Sequence, residues 1–578
     1  MLKERQLTEL ADIVGEDYFS SEEYMRKLYS QDIAALPGLV HDLLDTSVSA
    51  VAQPTTSEVV ANLLQYCLKE RIPVVPRGHG TSGYGGVLAT KGGIVVEMTR
   101  MNEIYNIDRE NMTVEVGAGI IWGKLIEELE DEGLTVAAYP SSAPSSTVGG
   151  WVAAGGTGIG STKYGGIREQ VVDLEVVLPD GQIIKTTKAG IGLFQGYKGL
   201  DYMYHPGTDK YQWGPSGHDK PGDDVTGLFV DSNGTLGIIT KVKLKIIPLR
   251  TIQPMVASFR SRKLMIGALK DILEATRPFY LHFITNDFYR MLGEVDKAPE
   301  TIGEWIVLST YEGSDAEVAG EVEKFHHFVS RYGGTVESDE IANHEWAERF
   351  YPLRIKRLGP SLAPSEVYVP LEHLEEYLEH LDRHFKGEKY AVEGAIDDLG
   401  EVAALAWFLD DERRKISFLM GWYRSLDFIK LGLQHGGRAY SIGMWNAGHS
   451  LSFFGRKNYG LMERMKSQTD PKNRLNPGKV FPASLNLSIR FNLLILLVAT
   501  IAVPVVLWFA GLLVPDLIMA YVPWLMLQDV MSVFIAMVIG LLIGVVVVEI
   551  ANIVPITFLL AIGAHFMRLG RRIFKGSK

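Results

Sequence analysis

The chain has 578 residues, 47 % hydrophobic and 22 % charged, with 57 Lys and Arg against 69 Asp and Glu and a formal charge of −12. That length suits two or three domains, and so acidic a chain repels a phosphate backbone, which excludes general nucleic-acid binding. The single cysteine, Cys67, excludes an internal disulfide, a CxxC zinc site and an iron–sulfur cluster bound by this chain alone. The charge is uneven: residues 490–578 hold six basic and three acidic residues, so this tail carries +3 and the rest −15.

Met1 to Gly15 has five charges and no apolar run, so no secretory signal is read there. Residues 57–76 read as a helix starting at Ser57, with Cys67 as a small buried residue on it, followed by a short strand running into Pro76. The loop RGHGTSGYGG, Arg77 to Gly86, has five glycines in ten residues. Directly after a strand, such a loop lets backbone N–H groups approach an anion such as a pyrophosphate. It is neither GxGxxG nor GxxxxGK[ST], and taken alone it also reads as a tight turn.

GGIVVEM, YNIDREN and MTVEVGAG alternate like strands, and IWGKLIEELEDEGL reads as a helix stopping at Gly133. Tyr139 to Gly166 is a second tract of Gly, Ser and Ala, expected to form no amphipathic helix and to lie against a large flat ligand. VVDLEVVLPDGQIIKT reads as a hairpin around Asp180-Gly181, and GLFVDSNGTLGIITKVKLKIIP as a glycine turn entering a strand. The insertion Gly192 to Thr226, rich in Tyr, Gly, His and Asp, reads as a lid or a partner-docking loop.

In the tail, Phe491 to Leu513 and Val530 to Val548 are uncharged runs of 23 and 19 residues, each long enough to cross a bilayer as a helix. With Arg490 before them and five basic residues after, both ends are expected on the cytoplasmic side and the body on the inner face of the membrane. The second span is expected to run to about Asn552. A basic interfacial helix then carries Arg568, Arg571, Arg572 and Lys575, or else a third span puts the carboxyl terminus outside. Glu549 reads as a headgroup-boundary residue or as a functional carboxylate.

The segments LYSQD (Leu28 to Asp32), VAQPTTSEVV, VPRGHGTSGYGG, STVGGWVAAGGTG, KYGGIREQVVDLEVVLPDG, SNGTLGIIT, VYVPLEHLEEYL and DPKNRLNPGKVFP follow one another in the order of a known family. The chain resembles the FAD-linked oxidases of the vanillyl-alcohol oxidase superfamily, closest to the glycolate oxidase D-subunit and D-lactate dehydrogenase branch. The resemblance implies an α+β fold: a two-subdomain PCMH-type FAD-binding domain over 1–248 and an α+β cap domain of the FAD-linked oxidase C-terminal type over 249–430. A segment over 431–482 would return to the flavin domain, and a membrane tail with transmembrane helices would occupy 483–578. It implies FAD as cofactor, with Arg77, Gly78, His79, Gly80, Thr81 and Ser82 around the pyrophosphate. Thr147, Gly149, Gly150, Gly156, Ser161, Tyr164 and Gly165 would line the adenosine and flavin stretch, with Thr235 and Ile239 beyond the ring. Thr81 stands where some relatives carry a flavin-bonding histidine, which implies non-covalent FAD. Asn233 replaces the family's glutamate in the following turn.

The same resemblance implies a membrane-anchored dehydrogenase that oxidises a hydroxy substrate, such as a 2-hydroxy acid, by hydride transfer to the flavin. Arg354 in RFYPLRIKRLGP is the expected carboxylate anchor, since an arginine fork matches a carboxylate. The branch's metal-binding histidines are missing: HGGRAYSIGMWNAGH keeps His435 but has Ser441, Ile442 and Gly443 where the Gly-Glu-His-Gly signature falls. No metal is therefore expected, and the remaining catalytic candidates are His435, Arg438, Tyr440, Asn446 and His449. Without cluster ligands in the chain, electrons would pass to a quinone, a separate iron–sulfur protein or oxygen. An oxidase or reductase of a lipid or isoprenoid substrate, and a non-catalytic flavoprotein subunit, are the other two functions open at this point.

Overall fold

The computed structural model describes residues 2–33, 37, 46–188, 225–294, 303–359, 361–363 and 365–481. The two apolar tail segments, the basic run after them and residues 192–224 of the insertion lie outside the described residues. Among the described residues no helix is long and apolar enough to cross a membrane.

The first layer is a four-stranded sheet of β1 (Phe19–Ser20), β2 (Ala50–Ala52), β3 (Val74–Arg77) and β4 (Ile94–Glu97), in the order β1-β2-β4-β3. β2 and β3 both run parallel to β4, and their unbroken runs of buried Val, Ile and Ala suit a sheet covered on both faces. The helix Ser57–Glu70 makes the crossover; Thr56 caps it by accepting from the Val59 amide, a contact typically worth about 1 kcal/mol. Its Val60, Leu63, Leu64 and Cys67 are buried against the sheet, and burial pushes the Cys67 thiol up, as expected for an inert apolar cysteine.

The second layer contains β5 (Ile104–Asp108), β6 (Thr113–Gly117), β7 (Leu134–Val136), β8 (Val171–Val177), β9 (Ile183–Lys185) and β10 (Ile238–Pro248). The order is β5-β6-β10-β8-β9, with β7 paired to the far end of β10. The β8–β9 hairpin turns at Asp180-Gly181, where Gly181 takes φ +87°. The helix Trp122–Glu130 packs Trp122, Leu125 and Leu129 into this sheet's core and is followed by Gly133 at φ +70°.

Within the Tyr139–Gly166 tract, where no amphipathic helix is expected, Val148–Ala154 forms a short helix of small and apolar residues, capped by Thr147 Oγ1, which accepts from the Gly150 amide at 3.2 Å. Small side chains make the helix possible by letting it press against β6's exit. A Cβ on Gly149 would lie 2.5 Å from the Ala118 Cβ.

The third layer is an eight-stranded antiparallel sheet. Its strands are β11 (Thr251–Phe259), β12 (Tyr280–Thr285), β13 (Trp305–Gly313), β14 (Thr335–Val336), β16 (Glu366–Pro370), β17 (Ala391–Ile396), β18 (Glu401–Trp407) and β20 (Arg438–Ala439). A separate pair joins β15 (Ser361–Leu362) to β19 (Leu409–Asp410). One face is apolar: Phe259, Leu281, Phe283, Val307, Val367 and Val402 pack with Leu269, Phe325, Leu381 and Phe428 of four covering helices.

Period-2 alternation sends the intervening residues to the other face, where register places Tyr280, His282, Glu393, Glu366, Tyr368 and Arg438. This polar face meets the second layer. Thr162 enters between β12 and β17, donating to the Ile396 carbonyl at 2.6 Å while accepting from the Leu281 amide at 3.0 Å. The Tyr164 hydroxyl donates to Glu312 at 2.7 Å and Lys163 pairs with the same carboxylate at 2.8 Å.

After β20 the chain returns to the first two layers. Phe453 and Phe454 before a break at Gly455 (φ +72°), and Met462 and Met465 in the helix after it, within Ser450–Thr469, join the second layer's core, and Leu475 bridges Val74 of β3.

Candidate flavin and substrate site

In the Gly78–Gly93 connection between β3 and β4, several glycines are packed too closely for a side chain. A Cβ on Gly78 would lie 2.2 Å from Thr147 Oγ1, and one on Gly86 would lie 2.8 Å from Asn233 Oδ1. The loop therefore lies against the cap of the helix Val148–Ala154 and against the Asn233 turn, the three segments expected to hold FAD. His79 Nδ1 hydrogen-bonds the Ser145 carbonyl at 2.5 Å, which puts the ring proton on Nδ1. Thr81 and Ser82 stand half-buried at the crest of the loop.

Two buried polar atoms beside this cradle, Ser146 Oγ and Trp445 Nε1, have no protein partner. Trp445 Nε1 is 3.3 Å from the position a Gly85 Cβ would take. Side-chain-free backbone, a capped helix start and donors left over in the wall are what a dinucleotide with a pyrophosphate needs, so the residues present fit FAD.

Several expected cofactor residues make bonds within the protein. Arg77 folds under the loop, its guanidinium donating to the Gln31 carbonyl at 2.5 Å and stacking on Tyr29. Ser161 Oγ accepts from the Gly158 amide, Tyr164 bonds Glu312, and Thr235 Oγ1 donates to the Ser232 carbonyl. Ile239 is buried in β10. Gly156, at φ +120°, leaves 3.0 Å between its missing Cβ and the Tyr440 hydroxyl, and Gly165 turns at φ +80°.

The catalytic candidates separate into two groups. Arg438 and Tyr440 face the flavin domain. The Arg438 guanidinium bonds Glu401 Oε2 through Nε at 3.0 Å and Nη2 at 2.7 Å, and lies 3.8 Å above the Tyr368 ring. Tyr440 stacks on Tyr368 at 5.2 Å and donates to the Thr157 carbonyl at 3.2 Å. Asn446 is buried and donates to the Ser441 carbonyl, a local brace. His449 is held below the usual imidazole range by burial.

His435 does not join them: its Nε2 lies 3.2 Å from His380 Nδ1, on the helix-covered side of the sheet and opposite to Tyr440. Arg354 lies in the 3-10 turn Pro352–Leu358, and its side chain is outside the described set.

Side chains not anticipated from the sequence complete the polar face. Glu366 lies near Tyr84, which the glycine loop carries up from the first layer and whose buried hydroxyl makes no hydrogen bond among the described residues; burial and the neighbouring Glu393 push the Glu366 carboxyl up to about 7. Glu393 pairs with His282 Nε2 at 3.3 Å, and the His282 ring stacks on Tyr280 at 5.5 Å. Asp397 is pushed up to about 7 chiefly by burial, with Glu401 adding to it, but its Oδ1 accepts from the Leu399 and Glu401 amides and holds the β17–β18 turn. The alternation in SEVYVP was a usable signal: a lone acid two residues before Tyr368 shares that residue's face.

Two cavities flank the site. One of about 40 Å³, between Gly156, Thr157, Tyr368 and Arg438, has room for only one or two waters. The other, about 360 Å³, is lined by Tyr139, Phe279, Trp346 and Phe350 among others. Tyr164 meets Phe279 edge-on at 6.2 Å, so aromatic contacts run from the Gly165 turn to this second cavity.

Comparison with known proteins agrees with this geometry. Residues 48–187 match the family described as FAD binding domain, and residues 250–480 match the FAD linked oxidases, C-terminal domain. The glycolate oxidase subunit GlcD of Bacillus subtilis is 26 % identical over 486 residues, covering 82 % of this chain and 96 % of that one. The mitochondrial D-lactate dehydrogenase [cytochrome] of Arabidopsis thaliana is 25 % identical over 455 residues, covering 75 % and 73 %. Among solved structures, p-cresol methylhydroxylase with substrate bound superposes with a TM-score of 0.66 at 16 % identity, over 83 % of this chain and 96 % of that one; this likeness establishes the fold. The chain is an FAD-dependent oxidoreductase with the flavin domain and carboxyl-terminal domain of the FAD linked oxidases.

Proposed function

We propose that this flavoprotein is a dehydrogenase that oxidises the CH–OH group of a hydroxy substrate, with 2-hydroxy acids such as D-lactate or glycolate as the first class to test. The observation that carries this reading is Glu366 beside Tyr84, a titratable carboxyl in the wall shared by the flavin loop and the cap sheet. FAD, when bound, supplies the two-electron acceptor for the hydride leaving the carbinol carbon. Glu366 takes the hydroxyl proton. A base with a pKa near 7 is half ionised at neutral pH and well matched to that transfer. Tyr440, Tyr368 and Arg438 form a stacked floor fixed by Glu401, which limits motion of the substrate. Arg354 is assigned to the substrate carboxylate. The relatives' names, glycolate oxidase subunit and D-lactate dehydrogenase, support the substrate class.

FAD is held without a covalent bond, since Thr81 stands at the position where flavin-bonding relatives carry a histidine. The acceptor is a quinone bound in the 360 Å³ cavity, a reading supported by its aromatic wall and the Tyr164–Phe279 contact. The apolar segments 491–513 and 530–552 anchor the chain as two spans, with the catalytic body on the cytoplasmic face.

The test is anaerobic flavin reduction against glycolate, D-lactate, longer 2-hydroxy acids, polyols and lipid alcohols. Bleaching by a hydroxy acid supports the reading; bleaching only by lipid alcohols replaces it. Vesicle flotation of the full chain and of a chain ending at Phe481 tests the anchor: the first should float and the second should not.

A further inference from the structure

The segment Asp470–Phe481 runs beneath the cofactor loop and takes hold of its carbonyl groups. Asn476 Nδ2 donates to the Gly86 carbonyl at 2.8 Å and to the Asn233 carbonyl at 2.6 Å, and Lys479 Nζ donates to the Leu88 carbonyl at 2.7 Å. Thr90 Oγ1 returns a bond to the Pro477 carbonyl at 2.8 Å. A peptide plane is rigid, so a carbonyl drawn down toward this segment turns the next amide, at Val87 and Ala89, to the opposite side of the loop. The segment thus sets the direction of the loop's donors.

Lys479 stands apart within this arrangement. It is fully buried, with 0 % exposure. The charged group acting on it is Asp32, whose carboxylate accepts the Gly85 amide of the same loop at 2.8 Å. Lys91, Lys466, Asp470 and Arg474 interact among themselves: Lys466 donates to Asp470 at 2.7 Å and to the Thr235 and Leu475 carbonyls, and Lys91 feels Arg474 and Asp470. The Lys479 amine, beneath the segment that follows the phosphate-binding loop, is held by one carbonyl, and its one acidic neighbour, Asp32, is also engaged by the loop's Gly85 amide, which is little charge compensation for a buried cation.

We propose that Lys479 is the buried counter-charge to the cofactor's pyrophosphate, so that binding of FAD over the Gly78–Gly86 loop protonates its amine and cofactor uptake is coupled to proton uptake. The inference depends on FAD occupying the loop and is independent of the substrate. Burial lowers the Lys479 amine to about 7, so above that pH the flavin-free protein holds it neutral. Two negative phosphates across the loop favour the ammonium. Between pH 7 and the raised pKa of the complex, one proton enters with FAD; below pH 6 the amine is already charged and none does.

The experiment titrates FAD into the flavin-stripped full chain by calorimetry at pH 6 and pH 8, each in two buffers of different ionisation enthalpy. At pH 8 the wild type should take up more than about half a proton and at pH 6 close to none, with FAD affinity falling up to about tenfold per pH unit above 7. Lys479→Met should bind FAD more weakly at pH 7, with no proton uptake and no pH slope. His79→Asn controls for the imidazole in the same loop and should keep the uptake. The proposal is overturned by wild type binding without proton uptake at pH 8, a reading that needs no variant, or by uptake that survives in Lys479→Met and disappears in His79→Asn.

Discussion

Glu366 of the cap sheet lies near Tyr84 in the glycine loop of the flavin domain, 282 positions away in sequence, and the buried Tyr84 hydroxyl has no hydrogen-bond partner among the described residues. Replacing the carboxyl with an amide keeps its shape and removes its proton acceptance. Glu366→Gln should lower kcat/KM for the hydroxy substrate by about 10²- to 10⁴-fold, with FAD still bound, as measured by stopped-flow flavin reduction.

The same carboxyl sets a stability slope. Its folded pKa of about 7 exceeds the ordinary value of 4.5, so the folded protein holds the proton more tightly. Stability contributed by this group is present at low pH and declines as pH rises from about 4.5 through 7. The 2.5-unit difference corresponds to about 3 kcal/mol at most. Flavin-free Glu366→Gln should therefore melt higher than the flavin-free wild type at pH 8, and the gap should close by pH 5, as read by scanning calorimetry.

Gly78→Ala drives a methyl group into Thr147 Oγ1, 2.2 Å from the new Cβ. Either the loop or the helix cap must give way, at a cost of about 1–3 kcal/mol. Purified Gly78→Ala should carry less than a stoichiometric amount of flavin by absorbance, whereas Ser82→Ala at the loop crest should melt within about 0.5 kcal/mol of wild type.

Arg438 and Glu401 form a mostly buried pair in which two guanidinium N–H groups donate to the one oxygen Oε2. Removing one partner leaves a charge in a poor environment, so Arg438→Met should destabilise by about 3–5 kcal/mol, and Arg438→Met with Glu401→Leu by much less. Denaturant melts of the two variants compare them directly.

His435→Ala provides a contrast. The imidazole lies against His380 behind the sheet, so flavin reduction should change less than about threefold, with any loss appearing as stability. The proposed non-covalent attachment predicts that acid precipitation releases all yellow colour into the supernatant.

The flavin half of this site was legible in the sequence because it is written in glycines. RGHGTSGYGG, TVGG and the Asn233-Gly234 turn declare positions where a side chain has no room, and Gly78 against the Thr147 side chain is that requirement in space. The substrate half was less legible because it is assembled from one face of a sheet whose strands are far apart in sequence. Glu366, Glu393 and His282 come together only through register, and none lies in a motif. His435 misled because its neighbours in sequence, Arg438 and Tyr440, do face the flavin domain. The Gly432–Gly437 turn precedes β20, and the chain crosses from the helix layer to the sheet between them. The small-residue tract hid the helix Val148–Ala154 because close packing, not amphipathic spacing, holds it there.

The pH dependence of anaerobic flavin reduction, compared between the wild type and Glu366→Gln with one hydroxy-acid substrate that bleaches the flavin, addresses the assigned base directly. The wild-type rate should rise with pH through about 7 and level off, and the variant should be slow with that limb absent. A variant that reduces its flavin at the wild-type rate with the same limb would contradict the role of Glu366.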